Sequence, residues 1–190
     1  MLRNTETSWG AISRAFHWVT GVLILGLFAY GLWMTKFPAR EDTAYHVAIH
    51  ASIGISVLAL MIARVFWRAV NPTPMPPKGA ARWEITASKI GHLGLYVLVF
   101  GTLIAGWLLA GSGRAPLDYS LFGIIPMPNM LGTGSPYHKF LEESHELLGY
   151  AMIALVAIHI AAAVWHERVR RDGVMDRMTS GRSRDPSATA

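Results

Sequence analysis

The chain has 190 residues, of which 52% are hydrophobic and only 15% are charged, and its formal net charge at pH 7 is +5. This length allows one domain with tails, and the long uncharged stretches indicate a membrane protein rather than a soluble one. The absence of cysteine excludes disulfides, iron–sulfur clusters and thiolate-bound or covalently attached haem, so the eight histidines carry most of the metal-binding potential.

Four apolar segments are each long enough to cross a hydrocarbon core of about 30 Å, which needs roughly 20 helical residues. The first segment lacks the small-residue cleavage site of a signal peptide and is too long for its core, so we expect a retained helix. The expected fold class is an all-α integral membrane protein built as a bundle of four transmembrane helices. The predicted spans are 15–34, 47–66, 90–110 and 145–166.

The connectors between the spans differ in composition. The prolines of NPTPMPP at 71–77 cannot continue a helix, because proline lacks a backbone donor and has a fixed φ. Residues 111–136 form a longer loop rich in glycine and proline. We therefore expect one transmembrane domain over 1–172, followed by a basic cytoplasmic tail over 173–190 that is disordered.

The basic residues predict the orientation of the chain in the membrane. Thirteen of the 17 lie on the side that carries both termini and the second connector. By the positive-inside rule both termini face the cytoplasm, and the flanking positions of the charges make nucleic acid an unexpected partner. The four basic residues on the other side are Lys36, Arg40, Arg114 and Lys139.

Ionisable residues are costly inside a membrane and suggest function, and four of the histidines within the predicted spans can be matched by depth. His145 and His159 are fourteen residues apart, close to four helical turns, so they project from one face about 21 Å apart. His50 matches the depth of His145, and His17 matches the depth of His159. The pattern predicts two stacked haems, each held by two histidines.

Other interpretations of these histidines remain open. A single intramembrane histidine is often a hydrogen-bonding core residue, and a haem-free metal or ion transporter would also use such residues. His46 and His50 are spaced for a zinc site, although no HExxH glutamate and no third ligand are nearby in sequence. Glycines within the spans suit either close helix packing or a flat cofactor. They are Gly21, Gly26, Gly31, Gly54, Gly91, Gly94, Gly101, Gly106 and Gly149.

Several segments, taken together, form a specific pattern. They are RAFHW at 14–18, the stretch from His50 to Arg68, NPTP at 71–74, GHLGLY at 91–96, SGR at 112–114, LFG at 121–123, and the stretch from His145 to His166. In these segments the chain resembles the prokaryotic cytochrome b561 family of dihaem membrane proteins. The resemblance covers roughly residues 9–172.

This resemblance implies two haem b groups in a bacterial inner membrane, with His17, His50, His145 and His159 as the axial ligands of the iron. It also implies that His92 and His166 lie near a quinone, taken to be ubiquinone. The alternative for these two histidines is an interfacial position, bonded to haem propionates or water.

Some members of the family are similar to superoxide oxidase, which oxidises superoxide at the outer face and reduces ubiquinone. On this resemblance Arg114 and Lys139 are candidates for steering the superoxide anion. Glu142, Glu143 and Asp118 lie nearby in sequence and oppose such steering, so ordinary surface charge explains the two cations equally well.

The runner-up function is a cytochrome b that carries electrons, or anchors a redox protein partner, between the quinone pool and a dehydrogenase or other acceptor. Arg64 and Arg68, at the inner end of the second span, are candidates for pairing with haem propionates. They are equally well explained as orientation signals.

Overall fold

The computed structural model describes residues 1–37, 42–77, 79–113 and 120–181. Most of these residues lie in helices. The elements in chain order are α1 (Ala11–Met34), α2 (Thr43–Ala69), α3 (Arg82–Ala110), β1 (Ser120–Leu121), β2 (Ile125–Pro126), α4 (His138–Trp165), a π-helix (His166–Arg170) and α5 (Val174–Thr179).

Four of these helices are long and apolar enough to cross a membrane: α1, α2, α3, and α4 together with its π-helical extension. The predicted fold class, an all-α integral membrane protein with four transmembrane helices, is confirmed. Each helix is longer than its predicted span, because the apolar stretch marks only the part that matches the hydrocarbon core. The polar turns that extend a helix beyond this core cannot be detected from apolar length alone.

Local hydrogen bonds explain where some helices begin and end. The backbone N–H of Ala81 donates to the carboxylate of Glu84 at 2.7 Å, which caps the start of α3 well before the predicted residue 90. At the other end of α2 the side-chain amide of Asn71 donates to the carbonyl of Trp67 at 2.9 Å. Pro72 follows directly and prevents continuation of the helix.

The connector after α3 contains a small β-hairpin where the sequence predicts only a loop. Strands β1 and β2 pair antiparallel, with Ser120 opposite Pro126 and Leu121 opposite Ile125. Phe122 and Gly123, between the strands, both have positive φ, of 52° and 74°. The tight turn therefore follows from the left-handed conformation of these two residues.

Residues 173–181, which the sequence assigns to a disordered tail, instead include helix α5. The indole of Trp18 donates to the carbonyl of Met178 at 2.9 Å, and Arg177 donates to the carbonyl of Met75 at 2.8 Å. These contacts to the body of the chain offset the cost of ordering the segment. Residues 182–190 lie outside the described residues.

The chain divides into two compact units. Unit 1 comprises Met1–Val19, Ile62–Leu95 and Ala154–Ala190, and unit 2 comprises Thr20–Met61 and Tyr96–Ile153. In the described part of the chain, every buried hydrophobic side chain belongs to unit 2. They are Ile24, Leu27, Val57, Leu58, Met61, Val99, Ala105, Ala110, Leu141 and Met152.

Unit 1 is held together by polar contacts instead. The buried side chain of Asn4 donates to the carbonyl of Pro72 at 2.9 Å and accepts from the hydroxyl of Ser13 at 2.6 Å. The indole of Trp67 donates to the same hydroxyl at 3.0 Å. This network fixes the NPTP segment against the N-terminal residues.

Candidate functional site

Unit 2 brings the rings of His50, from α2, and His145, from α4, to a centroid distance of 6.1 Å with an interplanar angle of 90°. The Nδ1 of His145 lies 2.9 Å from the carbonyl oxygen of Thr102. A carbonyl only accepts, so Nδ1 carries the proton and Nε2 is left with its lone pair. The backbone of α3 thereby sets the tautomer of His145 that a metal ligand needs.

The partner ring of His50 is held by aromatic and backbone contacts. Tyr30 stacks against it at a centroid distance of 6.3 Å and an angle of 17°. Its Nδ1 is buried and has no hydrogen-bond partner among the described atoms. A side chain on Gly31 would place its Cβ 3.3 Å from Cε1 of His50, so this glycine lets α1 approach the ring closely. A buried ring nitrogen without a polar partner is costly, so the described atoms leave the ring of His50 in need of a partner outside the chain.

The helical glycines of unit 2 fall into two groups. At Gly106 a Cβ would lie 2.7 Å from Cε1 of His145, and at Gly101 it would lie 3.4 Å from Cδ1 of Leu148, so both serve close packing, as Gly31 does against His50. At the other four helical glycines a Cβ would meet nothing within 4 Å, which leaves space for a flat group. They are Gly21, Gly26, Gly54 and Gly149.

Unit 1 brings the rings of His17, from α1, and His159, from α4, to a centroid distance of 6.0 Å at an angle of 59°. This pair has a cation beside it. The guanidinium Nη2 of Arg64 lies 3.2 Å from Nδ1 of His17, and because arginine can only donate, that nitrogen is the acceptor. Arg64 therefore contacts the imidazole in the structure, where the sequence suggested a propionate partner or an orientation signal. Arg68 lies over the ring of Trp9 at 5.9 Å.

A third imidazole belongs to the unit 1 cluster. The ring of His92, from α3, lies 5.4 Å from that of His159 at an angle of 76°. Its Nδ1 donates to the carbonyl of Ser88 at 2.6 Å, which fixes Nε2 as the acceptor. The predicted quinone candidate His92 is thus directly beside one of the predicted ligands.

The second quinone candidate, His166, has a different environment. It begins the π-helix after α4, and its Nδ1 lies 2.6 Å from Oδ2 of Asp172. Trp165 packs edge-on against its ring at 5.1 Å. The sequence places His166 on the same helical face as His159, but the wider turn of the π-helix and the carboxylate of Asp172 set its orientation instead.

The spacing of both histidine pairs fits an iron held between them. An imidazole nitrogen lies about 2 Å from a bound metal, so two ring centres on opposite sides of one iron lie roughly 6 Å apart. Both observed distances meet this value. The described residues contain no group of three or more histidines or carboxylates arranged to hold a metal ion. The Nδ1 of His46 lies 2.7 Å from the hydroxyl oxygen of Tyr30, and the two groups share a hydrogen bond.

The structure describes one of the two candidates for anion steering. Arg114 lies outside the described residues. Lys139 has a side chain that is 73% exposed, and its ammonium lies 3.2 Å from Glu142 and 3.6 Å from Glu143. Two carboxylates therefore offset the single positive charge of Lys139, and this cluster does not attract an anion.

Sequence reasoning missed three residues that set the geometry of the candidate site. The carbonyl of Thr102 orients His145, Tyr30 stacks on His50, and Asp172 binds His166. The polar side chains of Tyr30 and Asp172 are visible in the sequence and could have been considered as partners of the histidines. Thr102 acts through its backbone, for which the sequence contains no signal.

The chain is similar to known proteins over most of its length. The sequence model of a family described as prokaryotic cytochrome b561 matches residues 8–181. Over 184 residues the chain is 33% identical to cytochrome b561 homolog 2 of Escherichia coli K12, covering 96% of each chain. It is 26% identical to a Yersinia pestis protein named probable superoxide oxidase CybB, covering 90% of this chain and 94% of that one. It is also 26% identical to cytochrome b561 homolog 1 of Escherichia coli K12, covering 85% and 91%.

Proposed function

The chain belongs to the prokaryotic cytochrome b561 family of membrane haem b electron-transfer proteins, and on that basis we propose that it oxidises superoxide at the periplasmic face and reduces ubiquinone. The proposal includes two haem b groups, held by His50 with His145 and by His17 with His159. The observation that carries it is the pairing of these rings at 6.1 Å and 6.0 Å, each pair drawn from two different helices. The multi-pass protein would lie in the inner membrane with both termini in the cytoplasm.

Bound haem would supply one-electron transfer, because an iron with two histidine ligands has no open position at which to activate oxygen. The chain orients the ligands and excludes water. The carbonyl of Thr102 keeps the Nε2 lone pair of His145 available. The buried apolar residues belong to the same unit as that pair, and a low-dielectric setting influences the reduction potential.

Arg64 has a different role in unit 1. His17 can bind iron through Nε2 only if its proton is on Nδ1, and that nitrogen then cannot accept from Arg64. Haem binding would therefore release the guanidinium, which becomes available to a propionate. This argument supports the propionate role for Arg64 over a purely topological one.

Quinone reduction needs protons as well as electrons, and His166 and His92 are the proposed donors. Asp172 fixes the Nδ1–H of His166, which leaves Nε2 facing away from the carboxylate, where it would take up a proton and pass it to the quinone. His92 is held in the same way by the carbonyl of Ser88. Both histidines belong to unit 1, so the proposed quinone site lies with the His17–His159 pair.

Stopped-flow spectroscopy on the purified, oxidised protein tests this function. We expect anaerobic superoxide to produce a reduced b-type spectrum, and a ubiquinone analogue to reoxidise it. If superoxide leaves the haems oxidised while a chemical reductant and the quinone still react, the superoxide step is wrong and the electron-transfer role stands. Absence of haem from the purified protein would contradict the whole proposal.

The second candidate is an electron carrier or anchor subunit that exchanges electrons with a redox protein. The observation that favours it is the pairing of Lys139 with Glu142 and Glu143, which leaves an acidic cluster where superoxide would be steered. Lys139→Gln distinguishes the two functions. Steering by Lys139 requires a lower rate with superoxide that is sensitive to ionic strength, whereas the carrier function predicts no change.

A further inference from the structure

The hairpin Ser120–Pro126 has an apolar, exposed tip. Phe122, Ile124 and Ile125 have 57%, 80% and 55% of their surface exposed. No Asp, Glu, Lys or Arg occurs anywhere between Ser120 and Tyr137. An exposed apolar segment with no charge beside it is typical of a surface that meets another apolar phase.

The hairpin is attached to a membrane-spanning helix well inside its length. The backbone N–H of Phe122 donates to the hydroxyl of Ser52 at 3.0 Å, and Ser52 is buried. The hydroxyl in turn lies 3.5 Å from the carbonyl of Ser120. Ser52 also lies two residues beyond His50 along α2, so the hairpin sits at the level of the unit 2 histidine pair.

The rise per residue of α2 gives the depth of this attachment in the bilayer. Ser52 lies nine residues after Thr43, the start of α2, which is roughly 13 Å along the axis. The 27 residues of α2 span about 40 Å against a hydrocarbon core of about 30 Å. With α2 centred in the bilayer, Ser52 lies about 8 Å inside the hydrocarbon boundary.

Paired N–H groups in the hairpin tip lower the cost of entering hydrocarbon, where unsatisfied polar groups are costly. Phe122 donates to Ser52, Gly123 donates to the carbonyl of Ser120 at 3.4 Å, and Ile124 donates to the carbonyl of Leu121 at 3.0 Å. All three N–H groups across the turn therefore have acceptors.

We propose that this hairpin is a membrane-inserted element whose Phe122, Ile124 and Ile125 side chains contact lipid acyl chains beside the His50–His145 pair. Two observations favour lipid over a docked protein. The hairpin is bonded to α2 within the length that crosses the bilayer, and residues 120–137 contain no charged side chain to steer a redox partner. The proposal stands independently of the donor and acceptor assigned above.

Site-directed spin labelling tests the insertion, and the chain suits it because it contains no cysteine. Ile124→Cys is labelled with a nitroxide in phosphatidylcholine–phosphatidylglycerol nanodiscs, and its collisions with oxygen and with a water-soluble nickel chelate are measured. Thr133→Cys, exposed in the same connector, is the aqueous control, and Val97→Cys, exposed on α3, is the lipid control. An unchanged haem spectrum shows that each variant is folded.

We expect the label at position 124 to match the label at 97, with a high ratio of oxygen to nickel collisions. Adding Ser52→Ala to Ile124→Cys should raise nickel accessibility at 124 several-fold, because the hairpin loses its anchor. A label at 124 that is as accessible to nickel as the one at 133 would overturn the proposal. Low accessibility to both reagents would also overturn it, since the tip would then be covered by protein.

Discussion

The two histidine pairs have nearly the same ring separation but different surroundings. In unit 2, His145 is oriented by a backbone carbonyl, and the unit contains the buried apolar residues of the described chain. In unit 1, His17 contacts the guanidinium of Arg64, and a third imidazole lies 5.4 Å from His159. One pair is held by main-chain geometry and burial, and the other lies among charged and titratable side chains.

This difference indicates which of the two proposed haems would accept electrons more readily. A fixed positive charge stabilises the reduced form of a nearby haem relative to the oxidised form, because reduction removes one positive charge. For His50 and His145 the described residues show an aromatic and a backbone contact rather than a contact with a cation. We therefore expect the haem of unit 1 to have the higher midpoint potential, which favours electron flow from unit 2 to unit 1.

The largest expected effect comes from removing a ligand from one unit. His145→Ala should reduce the haem content from two per chain to one, because only unit 2 loses an axial ligand. Haem is measured as the pyridine haemochrome relative to protein. His138→Ala is the matched control, since His138 starts the same helix but bonds to Ser112. Two haems retained in His145→Ala would refute its assignment as a ligand.

The next effect concerns the proposed proton donor of unit 1. His166→Ala should slow quinone reoxidation of the reduced protein by up to roughly 100-fold, the lower range for an acid–base group. Haem content and absorption should not change. Glu167→Gln, the neighbouring substitution, should react at the normal rate. An equal rate for His166→Ala and the native protein would assign His166 a structural role.

A smaller effect is expected from the contact of Gly106 with His145. In Gly106→Ala the new Cβ would lie 2.7 Å from Cε1 of His145, so the ring must shift. Overpacking of this kind costs about 1–3 kcal/mol. We expect faster haem loss from unit 2 alone, measured by transfer to a haem-accepting protein. Gly101→Ala, whose Cβ would meet only a leucine methyl group, should lose haem at the native rate.

The smallest expected effect tests the electrostatic difference between the two histidine pairs. Arg64→Gln should lower the midpoint potential of one haem by roughly several tens of millivolts, since 59 mV corresponds to about 1.4 kcal/mol for one electron. Spectroscopic redox titration resolves the two haems. Arg68→Gln, which removes a cation that lies over Trp9, should shift the same haem less. A shift of both haems by the same amount would contradict an assignment to unit 1.

The sequence predicted the four helices and the pairing of histidines because both follow from regular geometry. Fourteen residues make almost four helical turns, so His145 and His159 necessarily lie on one face of α4. Apolar length identified each span. These inferences need only the helical repeat and the thickness of the bilayer.

The remaining details depend on contacts between distant residues. The Arg64–His17 contact joins positions 47 residues apart, and the hairpin anchor joins Ser52 to Phe122, 70 residues apart. No local pattern specifies either pair. The starts of the four helices were missed for a related reason, because caps such as Glu84 at Ala81 lie outside the apolar stretch, whereas the ends of α1 and α3 were predicted correctly.

A π-helical turn takes one residue more than an α-helical turn. The π-helix at His166–Arg170 therefore determines the direction in which the following residues face. Its closing bond, from the N–H of Arg171 to the carbonyl of His166 at 2.7 Å, spans five residues instead of the four of an α-helix. Deleting one residue here would let α4 continue as an α-helix and rotate everything after it by about 100°. Asp172 would then turn away from His166, and α5 would lose its bond to Trp18. A single-residue length change at this point would separate the proposed proton donor from its carboxylate while leaving every histidine in place.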